Sequence, residues 1–401
     1  MTVSETEEKP VENKDNKRKK RRNLALLILL AIFVLIGVVW FFYWLFAGRF
    51  YVNTEDAYVH GNEVMLTPQV SAGVNAIYAE ETDLVTKGQL LVELDRSDHE
   101  LFFEEMQEAL AYTVRQVVGL FQDVEAKEAE VVLRAAELRQ AELDLKHREP
   151  LVSTGAVSTE EFETYQTNVV VAEASLVYAE KELEMARSLI EGTTVRTHPL
   201  VQESIVSVKE AYLNLIRCHV LAPVTGYIAK RSVQVGDYVN AGDTLLFIVP
   251  LDQIWIEANY KETKLRNVRI DQPVEFTSDI YGGGVKFHGK VVGFQPGSGN
   301  AFAFLPPENT SGNWIKIIQR VPVRISIDPD EISKHPLLLG LSMHVHVDVH
   351  DTSGKMLSKT PTLEPIYTTP IYYKQIEEME LIDPLIDHII KKNYFPLSET
   401  K

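Results

Sequence analysis

The sequence predicts an α+β protein carried on a single membrane-spanning helix, with a long antiparallel α-helical coiled-coil hairpin inserted in a split β domain and a strand-rich body following it. Three observations predict this class. An uncharged apolar run of 24 residues lies near the N-terminus, a β-type half-motif occurs twice at about 155 residues' separation, and a step of three and four apolar positions fills the interval. The 401 residues are 45% hydrophobic and 24% charged, a globular mixture with room for roughly two to four domains. With 40 Lys+Arg against 57 Asp+Glu the formal charge is −17, which lacks the clustered positive footprint a phosphate backbone requires and argues against a nucleic-acid partner. The single cysteine, Cys218, rules out an intramolecular disulfide framework and a Cys-rich metal site.

Leu24 to Ala47 form the span. At ~1.5 Å per residue they give about 36 Å of helix against a hydrocarbon core of about 30 Å. A cleaved signal peptide would carry an apolar core of roughly 7–15 residues and a small-residue cleavage site, so this longer run reads as an uncleaved anchor. Leu24 opens it, and Trp40, Phe41, Phe42, Tyr43 and Trp44 crowd its far end as an aromatic belt. Lys17, Arg18, Lys19, Lys20, Arg21 and Arg22 precede it, and the positive-inside rule then predicts a cytoplasmic N-terminus. Everything after Gly48 is expected outside the inner leaflet, and a single span cannot itself be a channel.

The repeat reads Pro68-Gln-Val-Ser-Ala-Gly73, Asp83-Leu-Val-Thr-Lys-Gly88 and Leu91-Val92 in one copy, and Pro223-Val-Thr-Gly226, Asp237-Tyr-Val-Asn-Ala-Gly242 and Leu245-Leu246 in the other. Glycines supply turn geometry and the apolar runs supply strands, so each copy is a β half that packs on the other. Between them, Phe103, Met106, Leu110, Thr113, Val117, Leu120, Val124, Lys127, Val131, Arg134, Leu138, Ala141 and Leu145 mark an outgoing helical seam. Phe162, Tyr165, Val169, Ala172, Leu176, Ala179, Leu183, Ala186 and Ile190 mark the return. Pro150 and Gly155 are expected to stop the first helix, and Ser158 with Glu161 reads as the capping box that starts the second. A break at Glu191 to Pro199 interrupts the return arm before Val201, Ile205, Val208, Tyr212 and Leu215 resume the seam. From Asp98 to Val220 there are 23 acidic and 11 basic residues, which reads first as a solvated coiled-coil surface.

After Gln253, short β-branched and aromatic runs suit a small antiparallel barrel or sandwich. The tail beyond Lys355 is expected to be partly ordered at best, ending in an amphipathic stretch from Leu385 to Ile390. No catalytic or cofactor chemistry emerges. A lipoyl or biotin carrier needs an exposed Lys in the turn joining the two halves, where Asp95-Arg-Ser-Asp98 stands instead. His344, His346 and His350 have a metal-like spacing without a placed Cys or carboxylate partner, and read as a strand face. Gly282-Gly-Gly284 lacks the context of a phosphate loop, Asn309-Thr-Ser311 is a short pattern common by chance, and no Gly-x-Ser-x-Gly elbow is present.

These residues resemble the membrane fusion proteins of the HlyD type, and within them the EmrA-like periplasmic adaptors of multidrug efflux pumps. The resemblance runs over about residues 20 to 352 and is carried by Leu94-Asp95, Ala222-Pro-Val-Thr-Gly226-Tyr-Ile, Ala258-Asn-Tyr-Lys-Glu262-Thr-Lys-Leu, and Gly297-Ser-Gly-Asn-Ala-Phe through Gly312-Asn-Trp314 to Arg320-Val-Pro-Val-Arg-Ile. It implies that the split repeat is lipoyl-like and the strand-rich body a β-barrel domain. The chain then divides into a basic N-terminus (1–23), the transmembrane helix (24–47), a linker with a first barrel-side strand (48–66), a first lipoyl-like half (67–96), the hairpin (97–219, tip about 147–160), a second lipoyl-like half (220–251), the barrel (252–352) and the tail (353–401).

The resemblance implies a non-enzymatic, cofactor-free adaptor, single-pass in the inner membrane of a Gram-negative cell with its body in the periplasm. Its implied partners are an inner-membrane major facilitator transporter, a TolC-like outer-membrane channel, and copies of itself in a ring of three to six, with hydrophobic drugs as substrates. Several branches of the family meet the channel through Arg-x3-Leu-x6-Ser at the tip. Here Leu151 and Ser158 keep the spacing, His147 stands at the Arg position, Arg148 follows one step late, and Gly155 lies between. The same residues can instead close the coiled coil (Leu151) and cap a helix (Ser158). Two other readings stay open: an adaptor for an ABC-type polypeptide exporter, and a membrane-anchored scaffold that binds hydrophobic ligands.

Overall fold

The computed structural model describes residue 2 and residues 14–46, 48–298, 301 and 318–394. Most of the stretch from Gly299 to Ile317, with the Asn309-Thr-Ser311 triplet and Trp314, lies outside the described residues, as do Ala47 and the side chains of Lys17 and Arg18. In chain order the elements begin with α1 (Lys14–Phe46), β1 (Tyr51–Thr54), β2 (Ala57–Gly61), β3 (Val64–Leu66), β4 (Ala72–Ile77), β5 (Leu84–Val85) and β6 (Leu90–Leu94). The helical insertion is α2 (Ser97–Val152), α3 (Thr159–Ile190) and α4 (Pro199–Ile216). There follow β7 (His219–Leu221), β8 (Gly226–Arg231), β9 (Tyr238–Val239), β10 (Leu246–Val249), β11 (Ile254–Lys261), β12 (Pro273–Ser278), β13 (Phe287–Phe294), β14 (Arg320–Ile325), α5 (Pro329–Lys334), β15 (Met343–Asp348), α6 (Ile371–Glu380) and α7 (Asp383–Asn393). Two compact units result, residues 1–63 with 249–366 and residues 64–248 with 367–401.

In the first unit, the part of α1 from Leu24 onward is apolar on every side and none of the described residues covers it: Leu24, Trp40 and Trp44 are 60%, 66% and 48% exposed. A helix of this length and composition without a packing partner is one that a bilayer can solvate. Beyond it lies one seven-stranded antiparallel sheet, in the order β1-β15-β12-β13-β14-β11-β2. Strands β11 and β15 alternate strictly, with Ile256, Ala258 and Tyr260 of β11 and Met343, Val345 and Val347 of β15 turned into one core. Phe276 and Phe287 stack in that core with ring centroids 5.7 Å apart. The outermost strand β2 also bonds the segment that enters β15, through Val59 N donating to Leu341 O (2.9 Å) and Gly340 N to Val59 O (2.8 Å), so its free edge is covered. Gly289 is required, since a Cβ there would collide with the Ser326 carbonyl oxygen. His344 and His346 face outward on β15, and His344 lies 3.1 Å from Asp279.

The region 48–66, expected to be a linker and one strand, holds three strands, of which β3 belongs to the second unit. Runs this short carry too few alternations to be read singly.

The second unit is built on two four-stranded sheets, β3-β10-β8-β5 and β7-β6-β4-β9. Each contains strands of both half-motifs, so neither half completes a sheet alone. The halves also exchange matched backbone bonds: Ile228 N donates to Asp83 O (3.0 Å) as Val74 N does to Asp237 O (2.8 Å), and Gly88 N to Ala222 O (2.8 Å) as Gly242 N does to Pro68 O (3.0 Å). Asp83 and Asp237 each accept from the backbone N–H three residues earlier, at 2.9 and 2.8 Å, which is why both copies carry Asp there. Gly88 and Gly242 take φ of +86° and +93°, a region an L side chain rarely adopts. Leu91, Leu94, Leu245, Leu246 and Ile248 fill the core, with the Cys218 thiol buried among them.

The tail departs from expectation. Residues 371–393 form two packed helices rather than a partly ordered end, and Ile382, Ile386 and Ile390 join Leu110, Val114, Val117, Val201, Ile205 and Val208 in a core at the root of the hairpin. Lys209 pairs with Asp383 at 2.7 Å, Arg196 pairs with Asp387, and Arg115 Nε donates to Asn393 Oδ1 at 2.8 Å. The stretch from Leu385 to Ile390 is too short to announce a stable helix by itself; its apolar face forms only because the hairpin root supplies the matching surface.

Two measurements follow from this packing. Ile386→Ala removes a fully buried side chain and is expected to cost about 2–5 kcal/mol in urea unfolding of the second unit, whereas Leu385→Ala, 38% exposed, is expected to cost less than about 1 kcal/mol. Burial raises the Cys218 thiol to about 11. The folded state therefore holds its proton more tightly than the unfolded chain, so the stabilisation is complete below pH 9 and is lost as pH rises from 9 to 11. Alkylation by iodoacetamide at pH 8 is expected to label Cys218 only after denaturant is added.

Candidate functional site in the helical hairpin

The hairpin is a 56-residue helix going out, and helices of 32 and 18 residues coming back. At ~1.5 Å per residue α2 is about 84 Å long. Every seam position from Phe103 to Leu145 and from Phe162 to Ile190 is buried or half-buried, against exposed neighbours such as Val132 and Tyr178. The three polar residues in the outgoing seam are matched. Thr113 Oγ1 accepts from Ser204 Oγ at 3.0 Å. Lys127 Nζ bonds Glu182 across the arms at 2.7 Å, and Arg134 bonds Glu137 at 3.0 Å. The Lys127 amine pushes the Glu182 carboxyl down, and Glu182 in turn raises Lys127. At the root α2 turns a second stripe, Val114 and Val118, toward α4 and α7, so two seams share one helix.

The return arm breaks between Ile190 and Pro199. Gly192 takes φ of +70°, and the buried His198 ring spans the break, its Nδ1 accepting from Leu200 N (3.3 Å) while Nε2 meets Leu189 O (3.1 Å). That pair of bonds requires the neutral ring protonated at Nε2. Pro199 then opens α4 at the position where its missing N–H costs nothing.

At the tip, Pro150 does not stop the outgoing helix, which runs on to Val152. In a last turn proline forfeits only the bond to a carbonyl that solvent can satisfy. Gly155, φ +70°, reverses the chain, with Gly155 N donating to Val152 O (3.1 Å) and Ala156 N to Leu151 O (3.2 Å). Ser158 Oγ accepts from Glu161 N at 3.1 Å and caps α3.

The five residues singled out in the sequence occupy different roles here. Leu151 is 42% exposed and does not close the coiled coil; the half-buried Val152 and Val157 stand there instead. His147 is exposed. Arg148 turns inward, its guanidinium 3.9 Å above the Tyr165 ring and donating to Asp144 O at 3.1 Å. Tyr165 is legible in the sequence only as a seam position; its part in holding Arg148 across the arms depends on register, which spacing within one arm does not show. The tip thus offers an apolar knob, an exposed imidazole and a tethered cation, a set suited to protein contact rather than to bond chemistry.

Residues 97–218 match the family model described as "EMRA, alpha-helical hairpin domain". The chain is similar to "Multidrug export protein EmrA" of Haemophilus influenzae, 38% identical over 394 residues, covering 98% of this chain and 100% of that protein. It is similar to the protein of the same description in Escherichia coli, 37% identical over 97% of this chain and 98% of the other. It is also similar to "Fatty acid resistance protein FarA" of Neisseria gonorrhoeae, 44% identical over 77% of this chain and 78% of that one. Similarity over nearly the whole length of the first two relatives, with the matched hairpin within it, places the chain in the EmrA-like family of membrane fusion proteins.

Proposed function

We propose that this chain is the periplasmic adaptor of a tripartite multidrug efflux system, linking an inner-membrane major facilitator transporter to a TolC-like outer-membrane channel. Membrane fusion proteins of this family are non-enzymatic linkers. The observation that carries the reading is a hairpin about 84 Å long whose far end presents Leu151 to solvent while its root is clamped in a β domain. Relatives named for multidrug export support it.

In this reading Leu24 to Ala47 cross the inner membrane once. Arg18, Lys19, Lys20, Arg21 and Arg22 hold the N-terminus in the cytoplasm, and Trp40 and Trp44 sit at the opposite interface. The seven-stranded sheet serves as the barrel body, and copies of the chain pack side by side into a ring of three to six, since one hairpin cannot enclose a conduit. His147, Arg148, Leu151, Gly155 and Ser158 form the contact with the channel: Leu151 as the knob, His147 and Arg148 as hydrogen-bond donors, Gly155 and Ser158 as the turn and cap that fix the knob's position. Export energy comes from the transporter.

The test is co-purification from detergent-solubilised membranes of the full-length protein, with and without residues 147–160, and of Leu151→Asp. The expected result is a twelve-span facilitator recovered with all three and an outer-membrane channel recovered with the intact tip alone, its yield falling at least about tenfold in Leu151→Asp, in keeping with loss of a central apolar anchor. Recovery of an ATPase in place of the facilitator would move the assignment to polypeptide secretion, and recovery of no membrane partner would leave a ligand-binding scaffold.

A further inference from the structure

The hairpin is joined to its β domain by two stretches of chain, Asp95-Arg96 going out from β6 and Arg217-Cys218 coming back into β7. Those strands are paired neighbours, so the two attachments stand about 4.8 Å apart and define a hinge axis. On a lever about 84 Å long, a swing of about 10° at that hinge carries the far end about 15 Å. The apolar cores do not close the hinge, for among the described residues no side chain of the β-domain core belongs also to the core of the hairpin root.

The C-terminal helices touch both sides of it. On the β domain, Lys87 Nζ donates to Thr368 O at 3.1 Å and Thr369 Oγ1 to Pro223 O at 2.9 Å. Ile371 and Gln375 of α6 are buried, and with Leu66 of β3 and Leu221 of β7 they line a void of only about 30 Å³. Strands β3 and β7 are edge strands of the two sheets, so α6 lies across both edges and reaches the sheet that carries neither hairpin connection. On the hairpin, α6 packs against α4 and α7 against α2, with Ile382, Ile386 and Ile390 in the root core. The joint between α6 and α7 is Leu381 and Ile382, where Leu381 N donates to Glu378 O and Ile386 N to Ile382 O, both at 3.1 Å, so one turn follows the other without slack.

We propose that α6 and α7 are a brace that fixes the direction in which the hairpin leaves its β domain. Two side-by-side attachments leave one swing free, and a rigid third contact on the other sheet removes it. The brace is a positioning element: it acts through the hairpin and touches nothing that the tip touches. It rests on the export reading only for what the hairpin is aimed at.

The test is a spin-label distance distribution in the detergent-solubilised full-length protein with Cys218→Ala, diluted with unlabelled chains so that distances within one chain are read. One label is at Val132→Cys on α2 and the other at Leu84→Cys or Val235→Cys, all exposed positions, the last two beside opposite sheets of the β domain. Val132 lies about 50 Å along α2, where a swing of about 10° moves a label about 9 Å. Narrow distributions are expected for the intact chain. A Gly-Ser-Gly-Ser insertion between Leu381 and Ile382 leaves both contact sites in place and cuts only the joint; it is expected to broaden at least one distribution by an amount on the order of 9 Å with helical content unchanged. A chain ending at Ile366 is expected to broaden it at least as much. The same insertion after the exposed Leu363, ahead of the brace, is expected to change nothing. Distributions already broad in the intact chain, or unchanged by both the insertion at the joint and the truncation, would overturn the proposal. The distances are read without any partner, so failure of the brace leaves the export reading standing, and failure of the export reading leaves the distances as they are.

Discussion

The antiparallel pairing of β6 with β7 holds the two β half-motifs and the lever between them in one place. These strands bring Glu93 beside His219, and Leu94 N donates to Cys218 O at 2.9 Å, so the points where the chain leaves for the hairpin and returns from it are hydrogen-bonded neighbours. An insertion of more than a hundred residues must then begin and end within one strand spacing, about 4.8 Å, and two antiparallel helices satisfy this without a long connection. The buried Cys218 belongs to the same junction, and an ionised thiol there would be stripped of the water that stabilises it.

The interlocked halves explain why so small a β domain can bear so long a lever. Each sheet draws strands from both copies, and the copies exchange the same backbone bonds in both directions, so separating them breaks the core and the ladders together. The lever is also stiffened unevenly. Its distal part is a two-helix coiled coil held by small seam residues such as Ala179 and Ala186, with the Lys127–Glu182 bond across it. Its root is a three-helix core in which α7 adds a row of isoleucines. The break at Glu191 to His198 lies where one regime passes into the other, and His198 ties the two helices across it.

Much of this is legible in the residues because it rests on local periodicity. Apolar spacing locates the long apolar helix and both arms of the hairpin, and the paired Asp and Gly residues mark equivalent turns. Ser158 reads as a cap from its spacing to Glu161 and does cap. Pro150 reads as a stop because proline usually is one, and near a helix end the penalty is too small to act. The tail misleads for a different reason: a six-residue amphipathic stretch carries little helical preference of its own, and the surface that stabilises it comes from residues nearly two hundred to three hundred positions away.

The apolar N-terminal helix, the helical insertion between two β halves and the family can be had from the residues alone, since each follows from side-chain pattern within a short window or from a motif copied whole. Tertiary packing was needed to set Leu151 free while Arg148 lies on Tyr165, and to fold the tail back on the hairpin root. Those outcomes depend on the register between helices and on contacts between distant segments. Periodicity within one segment states which face is apolar, and leaves undecided what will cover it.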